Sequence, residues 1–197
     1  MPTVPPILIV DESTRLRRWR LEDAQALYDA VMSGQEHIAR WMSWADGTYT
    51  LDAAREFLAA CDRGYPTGQL DWAIEVDGAP VGSIGVPRSE PAHGEYEIGY
   101  WLAEPYTGRG IMTRTAATVV QWLIDTKQAH RVQIAALGGN RPSRAVAERL
   151  GFTEEGTFRR ARYHRGTWHD LVWYAITSDE WAARPSFARP LPPGGGA

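Results

Sequence analysis

Between the strand-like run "EYEIGYWL" and the helix-like run "IMTRTAATVVQWLIDTK" stand Tyr106-Thr107-Gly108-Arg109-Gly110, and so short and glycine-rich a loop suits one kind of chemistry. If a strand ends and a helix starts across it, the amides of Gly108, Arg109, Gly110, Ile111 and Met112 converge on one small volume at the positive end of the helix. Such a nest fits a pyrophosphate. Glycine is apt there because a ligand lying against the backbone excludes a β-carbon, and because the turn can demand positive φ. The motif alone does not decide the matter, since a tight helix N-terminus without a ligand has the same sequence. Neither the Walker pattern Gly-Lys-Ser/Thr nor the full dinucleotide fingerprint is present.

Other polar residues carry weaker signals. Alternation along "EYEIGYWL" puts Glu95, Glu97, Gly99 and Trp101 on one side and Tyr96, Ile98, Tyr100 and Leu102 on the other. Glu97 is then a carboxylate on the less apolar face. Asn140 follows Gly138-Gly139 as a turn residue would, and Ser143 falls in the first turn of a short helix. His130 sits at a helix-to-strand junction and His169 beside Asp170 in a strand, positions where structural hydrogen bonding is commoner than catalysis. The single cysteine, Cys61, lies in "AAREFLAACDRG" with neither a histidine nor metal-ligand spacing nearby, so it reads as a buried structural residue. No metal site is expected.

The elements that would position these groups follow in order. "TRLRRW" alternates as a strand; "LEDAQALYDAVM" has the three-and-four spacing of an amphipathic helix; "GQEHIARWMSW" is a second helical piece. Thr50 is placed to cap "LDAAREFLAACD". "QLDWAIEVDGAPVGSIGVP" reads as a hairpin about Asp77-Gly78. After the long helix come the strand "HRVQIAAL", a helix "RPSRAVAERLG" with Pro142 in its first turn and Gly151 as its C-terminal cap, and a last hairpin about Arg165-Gly166. This order predicts an α+β fold of mixed strand direction, with the strands before and after the long helix lying parallel.

Composition narrows the class. The 197 residues, 44% hydrophobic and 23% charged, describe a soluble globular chain forming one domain over 1–183, with a disordered Pro/Gly-rich tail over 184–197. No run approaches the length that spans a bilayer, and the N-terminus lacks the pattern of a signal peptide, so a cytoplasmic protein without membrane contact is expected. The net charge of -3 argues against a nucleic-acid partner. The cluster "FRRARYHRG" reads as a solvated strand face.

Taken together, "EIGYWLAEPYTGRGIMT", "HRVQIAALGGNRPSRAVAERLGF", "EEGTFRRARYHRGTWHDLVWYAIT" and the earlier "HIARWMSWADGTYTLDAAREFL" resemble the GNAT acetyltransferase superfamily, in particular its branch of ribosomal-protein-alanine N-acetyltransferases. The resemblance covers residues 13 to 181. It implies a mixed, mostly antiparallel twisted sheet with helices on both faces and a V-shaped splay between two central parallel strands. It also implies acetyl-CoA as co-substrate, with the diphosphate on Gly108, Arg109, Gly110, Ile111, Met112 and Thr113. The pantetheine arm would lie along Gly99, Trp101 and Leu102, with Asn140 and Ser143 near the thiol. Two departures stand out in the loop: Thr107 replaces the Gln or Arg of the broader pattern, and Met112 its Gly or Ala. Ala147 stands where many members carry a tyrosine acid, which leaves Ser143 as the candidate acid.

On this resemblance the reaction is acetyl transfer to a primary amine, foremost a protein or peptide N-terminus. An attacking amine must lose a proton, and Glu97 is the candidate base, with Glu95 and water as competitors. Trp41 and Trp44 fall in the segment that lines the acceptor side, or else staple a helical hairpin to the sheet. Two rival functions are an acetyltransferase for a small amine (antibiotic, polyamine or metabolite) and a non-catalytic acyl-CoA-binding protein. A pure binding module needs neither Glu97 nor Ser143. The sequence leaves open the acceptor, a larger acyl donor such as succinyl-CoA, and the choice between monomer and homodimer.

Overall fold

The structure is a computed structural model that describes residues 7–65 and 69–184. Its strands are β1 (Ile7–Ile9), β2 (Thr14–Arg18), β3 (Asp71–Val76), β4 (Ala79–Glu90), β5 (Glu95–Leu102), β6 (Arg131–Leu137), β7 (Thr153–His164) and β8 (Thr167–Thr177). They form one sheet in the order β1-β2-β3-β4-β5-β6-β8-β7. Only β5 and β6 run parallel; the other neighbours are antiparallel. The expected α+β class and mixed sheet are therefore observed. The expected tail over 184–197 lies, Arg184 apart, outside the described residues.

Helices cover both faces, and β3 shows how alternation divides them. Trp72 and Ile74 point into a core with α4 (Ile111–Lys127) and α5 (Arg141–Arg149), whereas Ala73 joins the smaller core under α1 (Ala24–Met32), α2 (Gln35–Ala39) and α3 (Leu51–Gly64). Cys61 is fully buried in the smaller core, and burial pushes its thiol up to about 12. Trp72 packs edge-on against Trp122 of α4 at 5.4 Å, in the arrangement aromatic rings favour.

Local chemistry sets the element ends as the sequence predicts. The Thr50 hydroxyl accepts the Ala53 amide at 3.1 Å. Asp77 and Gly78, with φ of 50° and 85°, make the tight turn between β3 and β4, and Arg165 and Gly166 repeat the device between β7 and β8. Two elements were not foreseen. Ile7–Ile9 pairs with β2 as an edge strand in what reads as a proline-interrupted opening, and α6 (Ser178–Ala182) begins at a capping box between Thr177 and Glu180.

The feature that makes a site is the parting of β5 from β6. They pair at Glu95–Arg131, Tyr96–Val132 and Glu97–Gln133 and no further, while β5 stays with β4 to Leu102 and β6 stays with β8 to Leu137. A bulge in β4, between Gly85 and Arg88, faces the same level of β5. Beyond Glu97 the facing edges of β5 and β6 thus lack a strand partner among the described residues. Backbone amides and carbonyls left so must find other partners.

Candidate active site

The loop after β5 opens as a short 3-10 turn, Glu104–Tyr106, and delivers the chain to α4. Gly108 and Gly110 hold φ of 73° and 71°. A β-carbon on Gly108 would meet nothing within 4 Å, so glycine is required there by the left-handed backbone, not by crowding from the protein. The first helical bond of α4 runs from the Arg114 amide to the Gly110 carbonyl. The amides of Ile111, Met112 and Thr113 are accordingly the unpaired first-turn donors of a 17-residue helix. Arg114 braces the loop, its guanidinium bonding Asp11 at 2.8 Å and the Arg109 carbonyl at 3.2 Å. Burial works to raise the Asp11 carboxyl, but bonds from Arg114, Thr14 and Ser13 outweigh it and hold the group low.

A cavity of about 770 Å³ opens over this loop. Of the predicted cofactor residues, Trp101, Leu102, Gly108, Gly110, Ile111, Met112, Thr113, Asn140 and Ser143 line it. Arg109 does not; its guanidinium turns onto the Tyr106 ring at 5.4 Å. Gly99 does not line it either and borders a second cavity instead.

Asn140 caps α5, its Oδ1 accepting the Ser143 amide at 3.2 Å. Asn140 is thus a turn and cap residue that also lines the cavity. The helix is fixed from behind by Arg144, which reaches the Tyr174 hydroxyl at 2.8 Å, the Gly138 carbonyl and Glu154. On the cavity side the Tyr100 hydroxyl lies 3.2 Å from Ser143 Oγ and 3.3 Å from the Ser143 carbonyl. Burial pushes the Tyr100 phenol up to about 12, the bond to Ser143 opposing it. Ala147 is fully buried. Sequence alternation had assigned Tyr100 to the apolar face and nothing more; a hydroxyl at the end of an otherwise apolar ring was the signal available.

The second cavity, about 280 Å³, lies between the parted strands, β7, and the segment after α2. Trp41 borders both cavities, as do Met42, Tyr100, Asn140 and Ser143. Trp44 borders the second and packs on Trp101 and Tyr49, each at 5.7 Å. From β7 come Arg162 and His164, neither singled out by sequence reasoning.

Glu97 is half-buried on the face predicted for it but lines neither cavity. Burial raises its carboxyl above the ordinary range, against the opposing charges of Arg88 and Arg162. Arg162 borders the second cavity, so Glu97 adjoins that space from one pleat below Gly99. Glu95 pairs opposite Arg131 at the closed end of the V, farther still. His130 donates its amide to the Gly94 carbonyl at the junction between α4 and β6, and His169 Nε2 meets the His164 carbonyl at 3.1 Å, both as structural residues would.

Comparison with known proteins places this geometry. Residues 14–153 match the family model of the acetyltransferase (GNAT) domain. YdaF of Bacillus subtilis, provisionally named a ribosomal N-acetyltransferase, is 32% identical over 174 residues, covering 87% of this chain and 95% of its own. The crystal structure of a probable acetyltransferase superposes with a TM-score of 0.84 at 31% identity, covering 89% of this chain and 98% of that one. RimL, the ribosomal L7/L12 alpha-N-protein acetyltransferase solved in complex with coenzyme A, superposes with a TM-score of 0.82 at 25% identity, covering 88% and 99%.

Proposed function

The chain belongs to the GNAT acetyltransferase family and uses acetyl-CoA as co-substrate, and we propose that its acceptor is the N-terminal amine of a protein, ribosomal proteins being the nearest class. Support for the acceptor comes from YdaF and RimL, whose names carry ribosomal substrates, and from a second cavity of about 280 Å³, which suits one terminal residue. The observation that carries the reading is that two cavities meet at Tyr100, Asn140 and Ser143, where β5 and β6 part.

In this reading the diphosphate rests on the amides of residues 108–113, and the unpaired edge of β5 from Gly99 to Leu102 receives the pantetheine amides. The thioester then stands beside Ser143. An amine entering from the second cavity attacks the carbonyl; the carbon–nitrogen bond forms and the carbon–sulfur bond breaks. A β5 amide near Gly99 or Tyr100 stabilises the oxyanion, and the Ser143 hydroxyl gives the departing sulfur its proton. Glu97, with its raised carboxyl, is the acid-base group of this strand and reaches the amine across water, since it lines neither cavity. The protein acts in the cytoplasm.

The test is an acceptor panel with acetyl-CoA: peptides with free N-termini, the same peptides N-terminally blocked but bearing lysine, polyamines and aminoglycosides. Thiol release with an acetyl mass on the first residue of the free peptides is expected. Turnover with small amines alone would overturn the acceptor assignment.

A further inference from the structure

His164 ends β7 and is buried, yet its ring is only half accounted for by the protein. Its Nε2 lies 2.9 Å from the Ala39 carbonyl oxygen and 3.2 Å from that of Arg40. Carbonyl oxygens only accept, so Nε2 carries the hydrogen, and in the neutral ring Nδ1 holds the lone pair. Among the described residues nothing bonds Nδ1, and it is not one of the polar atoms sealed from solvent. The residue borders the 280 Å³ cavity together with Trp41, Trp44 and Tyr100. An imidazole with its tautomer fixed from behind and its second nitrogen open, on a residue that borders a cavity, is the arrangement of a proton acceptor.

We infer that His164 makes direct contact with the acceptor amine and takes its proton at Nδ1, leaving Glu97 the water-mediated part. The inference rests on the second cavity being the acceptor site and deepens that reading. As the amine nitrogen bonds the acetyl carbon and the carbon–sulfur bond breaks, the amine proton passes to Nδ1 and on to water, while the sulfur takes the Ser143 hydroxyl proton, which water replaces. The bonds from Nε2 to the two carbonyls strengthen as the ring gains charge. The charged and titratable groups around the ring are few. Arg162 borders the cavity, the His169 ring is 6.1 Å away, and Arg165 is paired with Glu36 and Asp46.

His164→Gln keeps an N–H for the Ala39 and Arg40 carbonyls and removes the basic nitrogen. With acetyl-CoA and a peptide bearing a free N-terminus, kcat/KM for the acceptor is expected to fall about 100-fold at neutral pH, the lower range for a positioned base. Affinity for acetyl-CoA and Tm should stay near wild type, and the loss should shrink as pH rises and solvent competes for the amine proton. A drop within threefold, or a larger drop in Glu97→Gln than in His164→Gln, overturns the inference. Should His164→Gln fail to fold, ¹⁵N NMR of the wild-type ring decides. An Nε2–H tautomer whose Nδ1 resonance shifts when coenzyme A and an acceptor peptide bind is expected, and an unmoved Nδ1 overturns it. Should the wild type acetylate no peptide at all, the acceptor reading has failed, not this one.

Discussion

The two cavities are built on different principles. The larger has a floor taken from one stretch between residues 106 and 114, with main-chain amides at the start of α4, and walls from residues 37–42, the end of β5 and α5. The smaller is assembled from side chains and backbone of residues 41–44, 98–100, 134–137, 162–164 and 171, segments brought together only by the sheet. Backbone donors depend on φ and ψ and little on which side chain is attached. Thr107 and Met112, which depart from the broader family pattern, line the larger cavity, and a nest of main-chain donors is compatible with such replacements. In the smaller cavity nearly every change of residue alters shape or charge, so on the proposed reading acceptor preference would be more easily altered than donor preference.

The hardest blow to this contrast is struck at Gly110. Its φ of 71° is one that a β-branched residue resists, and a β-carbon there would lie 2.9 Å from Arg114 Nη1, the group that braces the loop. In Gly110→Val the first-turn amides should lose their aim. Two charge-assisted bonds at roughly 1.5 kcal/mol each correspond to a fall of about 100-fold in affinity for coenzyme A. Calorimetric titration checks the value. An unchanged Kd in a folded variant would remove the loop from the donor site, and the contrast with it.

The same contrast explains what the sequence disclosed. Thr50, Asp77-Gly78, Pro142 and Gly151 do what their residue types dictate within a few positions, and each was legible. The GRG loop belongs with them, and so did the parallel pair that the long helix connects. His164 was hidden for a physical reason. "FRRARYHRG" reads as a solvated face, but β7 carries a register shift between Phe158 and Arg162, where Arg160 takes φ of 52° and gives its amide to Asp170 at 2.8 Å. Arg162, Tyr163 and His164 all border the cavity, and of the three only His164 is buried, so the exposed residues around it mask its position in the sequence. Glu97 shows the complementary limit: period-two reasoning gave its face correctly but not its distance along the strand from the point of splay.

An acceptor-side change should act on one substrate alone. Trp44 is 45% exposed although it touches Trp101 and Tyr49, so much of its ring faces open space beside the cavity. Trp44→Ala should raise KM for a peptide acceptor about tenfold, the value of one good aromatic contact, and leave KM for acetyl-CoA unchanged. Should Tm fall while both KM values hold, Trp44 is a staple between the helical segment and the sheet.

The smallest effect is expected where the two cavities meet. Tyr100 projects from β5 on the face of α5, and its hydroxyl spans the gap to Ser143 Oγ at 3.2 Å. With its phenol pushed up to about 12, it stays protonated through the working range and can donate to the serine oxygen without competing as an acid. On the proposed reading its part is to orient Ser143, so that the serine hydrogen would face the sulfur and not the helix. Loss of one neutral bond of roughly 1 kcal/mol predicts a fall in kcat of about fivefold in Tyr100→Phe, with both KM values little changed. A double-mutant cycle sharpens the point. If Tyr100 works only by holding Ser143, the Tyr100→Phe effect should vanish in a Ser143→Ala background. Independent, additive losses would instead give Tyr100 its own contact with the thioester, and the junction would then hold two donors for the departing sulfur, not one hydroxyl oriented by the other.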